Sequence, residues 1–324
     1  MSTPTAVTWK ERVPAAFAWL TRHPSARAFH TLLRREFWEY RSLWMAPLTV
    51  GVLLVLSALL THGAMQIDAS EPSEWLDPHV KRSVFALAWW GLTIPHYVVM
   101  ILVLSFYLLD CLYAERKDRS ILFWKSLPVS DGATVGAKLC VAGLIVPLET
   151  FLVALITNVL FTIVWDLRAV IGHAPELLVW DTVAFLKTQT LMFMGLMISI
   201  LWYAPFLGAL LLASAWARRN VYLWVTLVPL LTIIVERIAF GTHYIANLLH
   251  YRSVGIWGSL HLETAVFGSF TSVGQATVVS IPALYDRVHI GPAFTNIDLW
   301  LGLIFTAACV YAAVWLRRYR DDSY

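Results

Sequence analysis

A chain of 324 residues that is 59% hydrophobic and 14% charged sits far from soluble domains, which run about 45–50% apolar and about 25% charged. That balance excludes a nucleic-acid reader, a disordered scaffold and a small secreted disulfide module, and favours several crossings of a bilayer. The net charge of +3 is small, so where the charges lie carries more information than their sum. Sixteen Trp, 12 Tyr and 16 Phe point the same way, because amphipathic aromatics gather where hydrocarbon meets headgroups. Cys111, Cys140 and Cys309 fit no metal-ligand spacing, and no structural disulfide is expected among them.

Residues 1–43 carry a long basic stretch broken by Pro14 and Pro24, with no apolar core leading to a small-residue cleavage site. No signal peptide is therefore expected. Residues 25–44 read as an amphipathic helix. Phe29, Leu33, Phe37, Tyr40 and Trp44 recur at spacings of three and four, and Arg27, Arg34 and Arg41 recur every seven on another face. Such a helix would lie along the membrane surface; the alternative is a helix packed on a soluble partner.

Six apolar stretches reach the roughly 20 residues that a span requires: 44–62, 84–109, 139–165, 186–216, 221–240 and 298–316. The fourth is long enough to tilt, to kink at Pro205 or to project beyond the bilayer. The fifth, interrupted by Pro229 and ending near Glu236 and Arg237, is expected to be shorter or partly re-entrant. With the N-terminus inside, 17 of the 24 Lys and Arg fall on the cytoplasmic side, so both termini are expected in the cytoplasm. The expected organisation is an N-terminal region 1–43, a six-helix membrane domain 44–316 and a short tail 317–324. Within the domain, residues 63–83 read as a solvated loop. Residues 241–297, rich in Gly and Pro, read as short helices over the outer mouth.

Catalytic patterns are missing from the sequence: there is no His-Glu-x-x-His, no Gly-x-Ser-x-Gly and no Cys-x-x-Cys. Gly132, Gly136 and Lys138 superficially suggest a phosphate-binding loop. The glycine spacing is one residue short, Ala137 precedes the lysine, and the hydroxyl for Mg²⁺ is lacking, so a helix entering the membrane is the better reading. His243, His250 and His261 match no compact ligand set, and neither does His96 in the second span. Glu149, early in the third span, is the candidate intramembrane polar site. Its place near the membrane boundary suits a hydrogen bond between helices as well as ion coupling.

The loop 110–138 is the most informative stretch. Asp110 to Ser120 is densely charged. Ile121, Leu122, Phe123, Trp124 and Leu127 then place large apolar side chains on the aqueous side, before Pro128 stops the helix and Ser130 or Asp131 caps the next. A solvated loop gains nothing from such a patch, which implies a partner or the membrane interface.

The chain here resembles permease subunits of ABC-2-type ATP-binding-cassette transporters. The resemblance lies in Glu115, Arg116, Ser120, Leu127, Pro128, Val129, Ser130 and Lys138, and in the lead-in Leu33-Arg34-Arg35-Glu36-Phe37 through Trp44. It implies an all-α protein of six transmembrane helices with an N-terminal interfacial helix, in a prokaryotic cell membrane. It further implies a homodimer driven by a separate ATPase subunit, which would hold the ATP and Mg²⁺, while this chain is not an enzyme and holds no cofactor or metal. The ATPase would dock on Glu115, Arg116, Ser120, Ile121, Leu122, Trp124, Leu127 and Pro128, and Glu115 and Arg116 would fix the docking helix as a charge pair. Membrane lipid is the other expected partner, nucleic acid is not one, and an amphipathic cargo such as a peptide, drug or lipid suits the scarcity of charge in the spans. Two other classes stand beside this reading: a haem-handling protein or enzyme using the outer histidines, and a membrane anchor without transport.

Overall fold

The computed structural model describes residues 24–60, 78–127, 129–172, 178, 180–259 and 291–320. Its helices, in chain order, are α1 (Pro24–Glu39), α2 (Ser42–Leu60), α3 (Pro78–Asp110), α4 (Tyr113–Lys117), α5 (Ile121–Lys125) and α6 (Asp131–Cys140). They are followed by α7 (Val146–Ile171), α8 (Thr182–Trp216), α9 (Val221–Phe240), α10 (Tyr244–Ser259), α11 (Gly291–Thr295) and α12 (Ile297–Tyr319). No strand occurs among the described residues. Six helices are long and apolar enough to cross a membrane: α2, α3, the continuous run of α6 and α7, α8, α9 and α12. The chain is a multi-pass helical membrane protein.

Several boundaries differ from the sequence expectation. The amphipathic helix expected over 25–44 breaks at Tyr40 and Arg41, so Trp44 belongs to α2. The third span starts at Asp131 rather than 139, because α6 leads into α7 through a π-helical turn at Val141–Ile145. Pro147 supplies the reason: it has no N–H to donate, and its ring would crowd the carbonyl four residues back, so the wider turn ahead of it relieves the clash. Over the fifth span α9 runs unbroken through Pro229 for its full 20 residues. Of the expected solvated loop 63–83, residues 63–77 lie outside the described residues and α3 begins at Pro78. Within 241–297 the structure describes α10 and α11, and residues 260–290 lie outside it.

Small residues and hydroxyls, rather than apolar burial, hold helices together in lipid, where the tails are as apolar as Leu. On α3, Trp89, Thr93 and His96 share one face and meet α7. Trp89 Nε1 donates to Thr162 Oγ1 (2.9 Å), Asn158 Nδ2 donates to Thr93 Oγ1 (3.1 Å), and His96 Nε2 lies 3.3 Å from Thr157 Oγ1. The helices α8 and α12 approach closely at Gly208, where an added Cβ would stand 3.2 Å from Thr306 Cα. Backbone cannot yield there, so Gly208→Leu is expected to cost about 1–3 kcal/mol. The measurement is the thermal midpoint in detergent, and Gly91→Leu, which meets nothing within 4 Å, should leave that midpoint in place.

Candidate functional site

The end of the bundle that carries α1, the loop 110–138 and the C-terminus of α12 holds an ion cluster. Its members come from helices far apart in sequence. Leu32 and Glu36 form the buried stripe of α1, one turn apart, so packing of that stripe onto α6 carries the Glu36 carboxylate inward. On α6, Lys138 falls on the same buried face as Thr134 and Val135. Ser130 caps this helix, accepting from the Ala133 N–H at 3.1 Å, and so fixes the face that α6 presents. On the short α4, Glu115 is the buried residue, and Arg317 is buried in the last turns of α12.

Lys138 Nζ donates to Glu36 Oε1 at 2.8 Å and lies 3.1 Å from Glu115 Oε1. The other Glu36 oxygen accepts from the Tyr107 hydroxyl at 2.9 Å. The second Glu115 oxygen takes Arg317 Nη1, while Arg317 Nε donates to Asp131 Oδ1 at 3.0 Å. Arg35 Nη2 stands 3.6 Å from Glu115 Oε1, and its Nε pairs with Glu39 at 2.9 Å on the surface. Lys138 and Glu36 are each 1% exposed. Glu36 and Glu115 thus meet Lys138 and Arg317 in the interior, with half-buried Asp131 and Arg35 at the margin, and paired charge of this kind is the condition under which buried charge is tolerated. Beside the cluster, Tyr40 stacks edge-on against Tyr107 with ring centroids 4.9 Å apart. Burial pushes the Tyr40 phenol far above its usual pKa and keeps it neutral.

Ser214 and Arg116 tie the same loop to α8. The Ser214 hydroxyl accepts the backbone N–H groups of Leu112 (3.1 Å) and Tyr113 (3.0 Å) at the elbow between α3 and α4. Arg116 Nη2 donates to the carbonyls of Ser214 and Ala217, the latter at 2.9 Å, and Arg320 Nη1 donates to the Trp216 carbonyl at 2.6 Å. Two guanidinium groups therefore serve the carbonyls that a helix C-terminus leaves without partners.

The expected Glu115–Arg116 charge pair does not form, because the two side chains leave α4 toward different partners: Glu115 joins Lys138 and Arg317, and Arg116 joins the end of α8. Ser120 Oγ donates to the Glu115 carbonyl at 3.3 Å. Ile121 is half-buried, Leu122 and Phe123 are 70% and 60% exposed, and Leu127 is exposed. Trp124 lies under the Arg35 guanidinium, 3.4 Å from Cζ to the ring centre, which joins α5 to α1. Pro128 lies outside the described residues. Phe29, Leu33, Phe37, Tyr40 and Trp44 are half-buried, and Arg34 and Arg41 are exposed. Glu149 sits in the first turn of α7 with Oε2 buried and no hydrogen-bond partner, so the expected bond between helices is not made through that oxygen.

In the sequence Arg35, Glu36 and Lys138 stand in motifs and Asp131 at a helix cap, and nothing local joins them to Tyr107, Ser214 and Arg317 in one site. One local signal was present: Glu36 falls in register with Phe29, Leu33 and Tyr40, an acid on an apolar stripe. Among the described residues no three His, Cys, Asp or Glu side chains gather as a metal-binding group, and His261 lies outside them. Compared with known proteins, the chain matches no family model, no curated protein and no solved structure.

Proposed function

We propose that this chain is the membrane-spanning subunit of an ATP-driven transporter of ABC-2 type. In this reading it works beside a second copy of itself, and a separate ATP-binding-cassette subunit docks on α5 and holds the nucleotide and Mg²⁺. The observation that carries the reading is α5. Leu122 and Phe123 stand exposed on a short helix whose neighbours are locked by the ion cluster to α1, α6 and α12. An apolar patch on a charged loop calls for a protein surface to cover it, and the cluster offers a stiff path from that patch to the ends of three spans. The bias of Lys and Arg supports placing this end in the cytoplasm of a prokaryotic cell.

Leu122→Asp combined with Phe123→Asp should abolish co-purification of an ATPase subunit while leaving the thermal midpoint unchanged, because both side chains are already in solvent. An ATPase that still co-purifies with the double variant removes α5 as its dock.

A further inference from the structure

Between α3, α8, α9 and α10 lies a groove of about 1800 Å³, well above the roughly 300–1,000 Å³ of most small-molecule sites. It exists because α9 stands off from the bundle: among its described residues only Val221 and Glu236 are buried. Glu236 fixes that position by capping the next helix, its carboxylate accepting from Thr242 Oγ1 (2.8 Å) and from the Ile245 N–H (2.9 Å). The groove wall on α8 extends from Leu191 to Trp216, about 37 Å of helix at about 1.5 Å per residue. That is the scale of a hydrocarbon layer, about 30 Å. A compact metabolite leaves such a length unfilled, whereas lipid acyl chains, each about half that layer in length, can lie along it.

The wall is apolar except for a few groups, and their hydrogen bonding is one-sided. Three lining residues carry a buried polar atom without a hydrogen-bond partner: Trp90 Nε1, Tyr97 OH and Arg252 Nη1. Two are pure donors and the third can donate. The lining carboxylate, Asp298, already accepts the Tyr251 hydroxyl at 2.8 Å. Arg252 is held in place by donating from Nη2 to the Asp298 carbonyl and by lying 4.8 Å over the Trp202 ring, while its Nη1 is buried and makes no hydrogen bond. A buried donor left unserved costs about 1–3 kcal/mol, and a guanidinium suits the planar, two-pronged geometry of phosphate or carboxylate oxygens.

We propose that this groove binds a membrane lipid with an anionic headgroup, its acyl chains along α8 and α9 and its phosphate at Arg252. As a cargo site this rests on the transporter reading above; as a lipid site it stands on the groove alone.

The test is native mass spectrometry of the full chain, released from detergent after titration with phosphatidylglycerol or phosphatidylcholine of the same acyl composition. The wild type should retain phosphatidylglycerol about tenfold more tightly, one charge-assisted contact's worth of affinity. Arg252→Gln should bring the two lipids within about twofold of each other, and Arg252→Lys, which keeps the charge, should retain part of the preference. Gly195 lies in the groove wall, and a Cβ there meets nothing within 4 Å; Gly195→Phe should therefore reduce retention of both lipids without lowering the thermal midpoint. Selectivity that survives Arg252→Gln, retention unaffected by Gly195→Phe, or a lipid-free dimer with the groove covered by the second copy would each overturn the proposal. Lipid selectivity in a chain that recruits no ATPase sinks the transporter reading and leaves this site standing; an ATPase partner without lipid selectivity does the reverse.

Discussion

Lys138→Met is expected to destabilise the folded chain by about 3–5 kcal/mol, the range for removing one partner from a buried charge set. Lys138 is 1% exposed, and its ammonium lies between Glu36 and Glu115. Without it, Glu115 keeps Arg317, but Glu36 keeps only the Tyr107 hydroxyl as a hydrogen-bond partner. The carboxylate that suffers is therefore Glu36, buried and without a cation. That asymmetry makes a second expectation: Glu36→Gln/Lys138→Met should recover at least half of the loss, whereas Glu115→Gln/Lys138→Met should recover less and leave Arg317 without its acidic partner on α4. Chemical unfolding in a mild detergent, followed by tryptophan fluorescence, reads all four proteins. A Lys138→Met midpoint equal to the wild type would mean the cluster contributes nothing to stability, and equal recovery by both double variants would mean that Glu36 is not the stranded charge.

The spans were legible because each is a local property, a run of some 20 apolar residues, and only their ends moved. Those ends moved for local reasons too: Pro147 widened a turn and joined α6 to α7, and the break at Tyr40 returned Trp44 to α2. The ion cluster was legible only in fragments. Glu36 and Lys138 are 102 positions apart, and Glu115 and Arg317 are 202 apart. Periodicity and spacing report what one helix presents, not which helix faces it. Adjacent charges such as Glu115 and Arg116 invite pairing on paper, yet neighbours in a helix point about 100° apart and do not face each other. The same limit applied to Arg252, which counted only as one basic residue of an outer segment until α10 placed it over Trp202 and beside α12.

On the transporter reading, Trp124→Ala should separate ATP hydrolysis from movement of the spans. The Trp124 ring is the side chain through which α5 reaches α1, stacked 3.4 Å from the Arg35 guanidinium, and Arg35 in turn approaches Glu115 at 3.6 Å. A cation–π contact of this kind contributes about 1–2 kcal/mol when partly desolvated, and 1.4 kcal/mol is about a tenfold change in an equilibrium. Leu122 and Phe123 remain on the exposed side for the ATPase, so docking and hydrolysis should stay within about twofold of the wild type while the population of the moved state falls about tenfold. The displacement can be read without knowing the cargo, from nitroxide labels at Ile171 and Ile297. Both are exposed, the first at the end of α7 and the second at the start of α12. Arg35→Gln removes the other half of the same contact and should reproduce the result. If Trp124→Ala retains the ATP-dependent change in label distance, force does not pass through this ring. If hydrolysis disappears with the displacement, Trp124 belongs to the dock itself, and α5 and α1 are coupled elsewhere in the cluster.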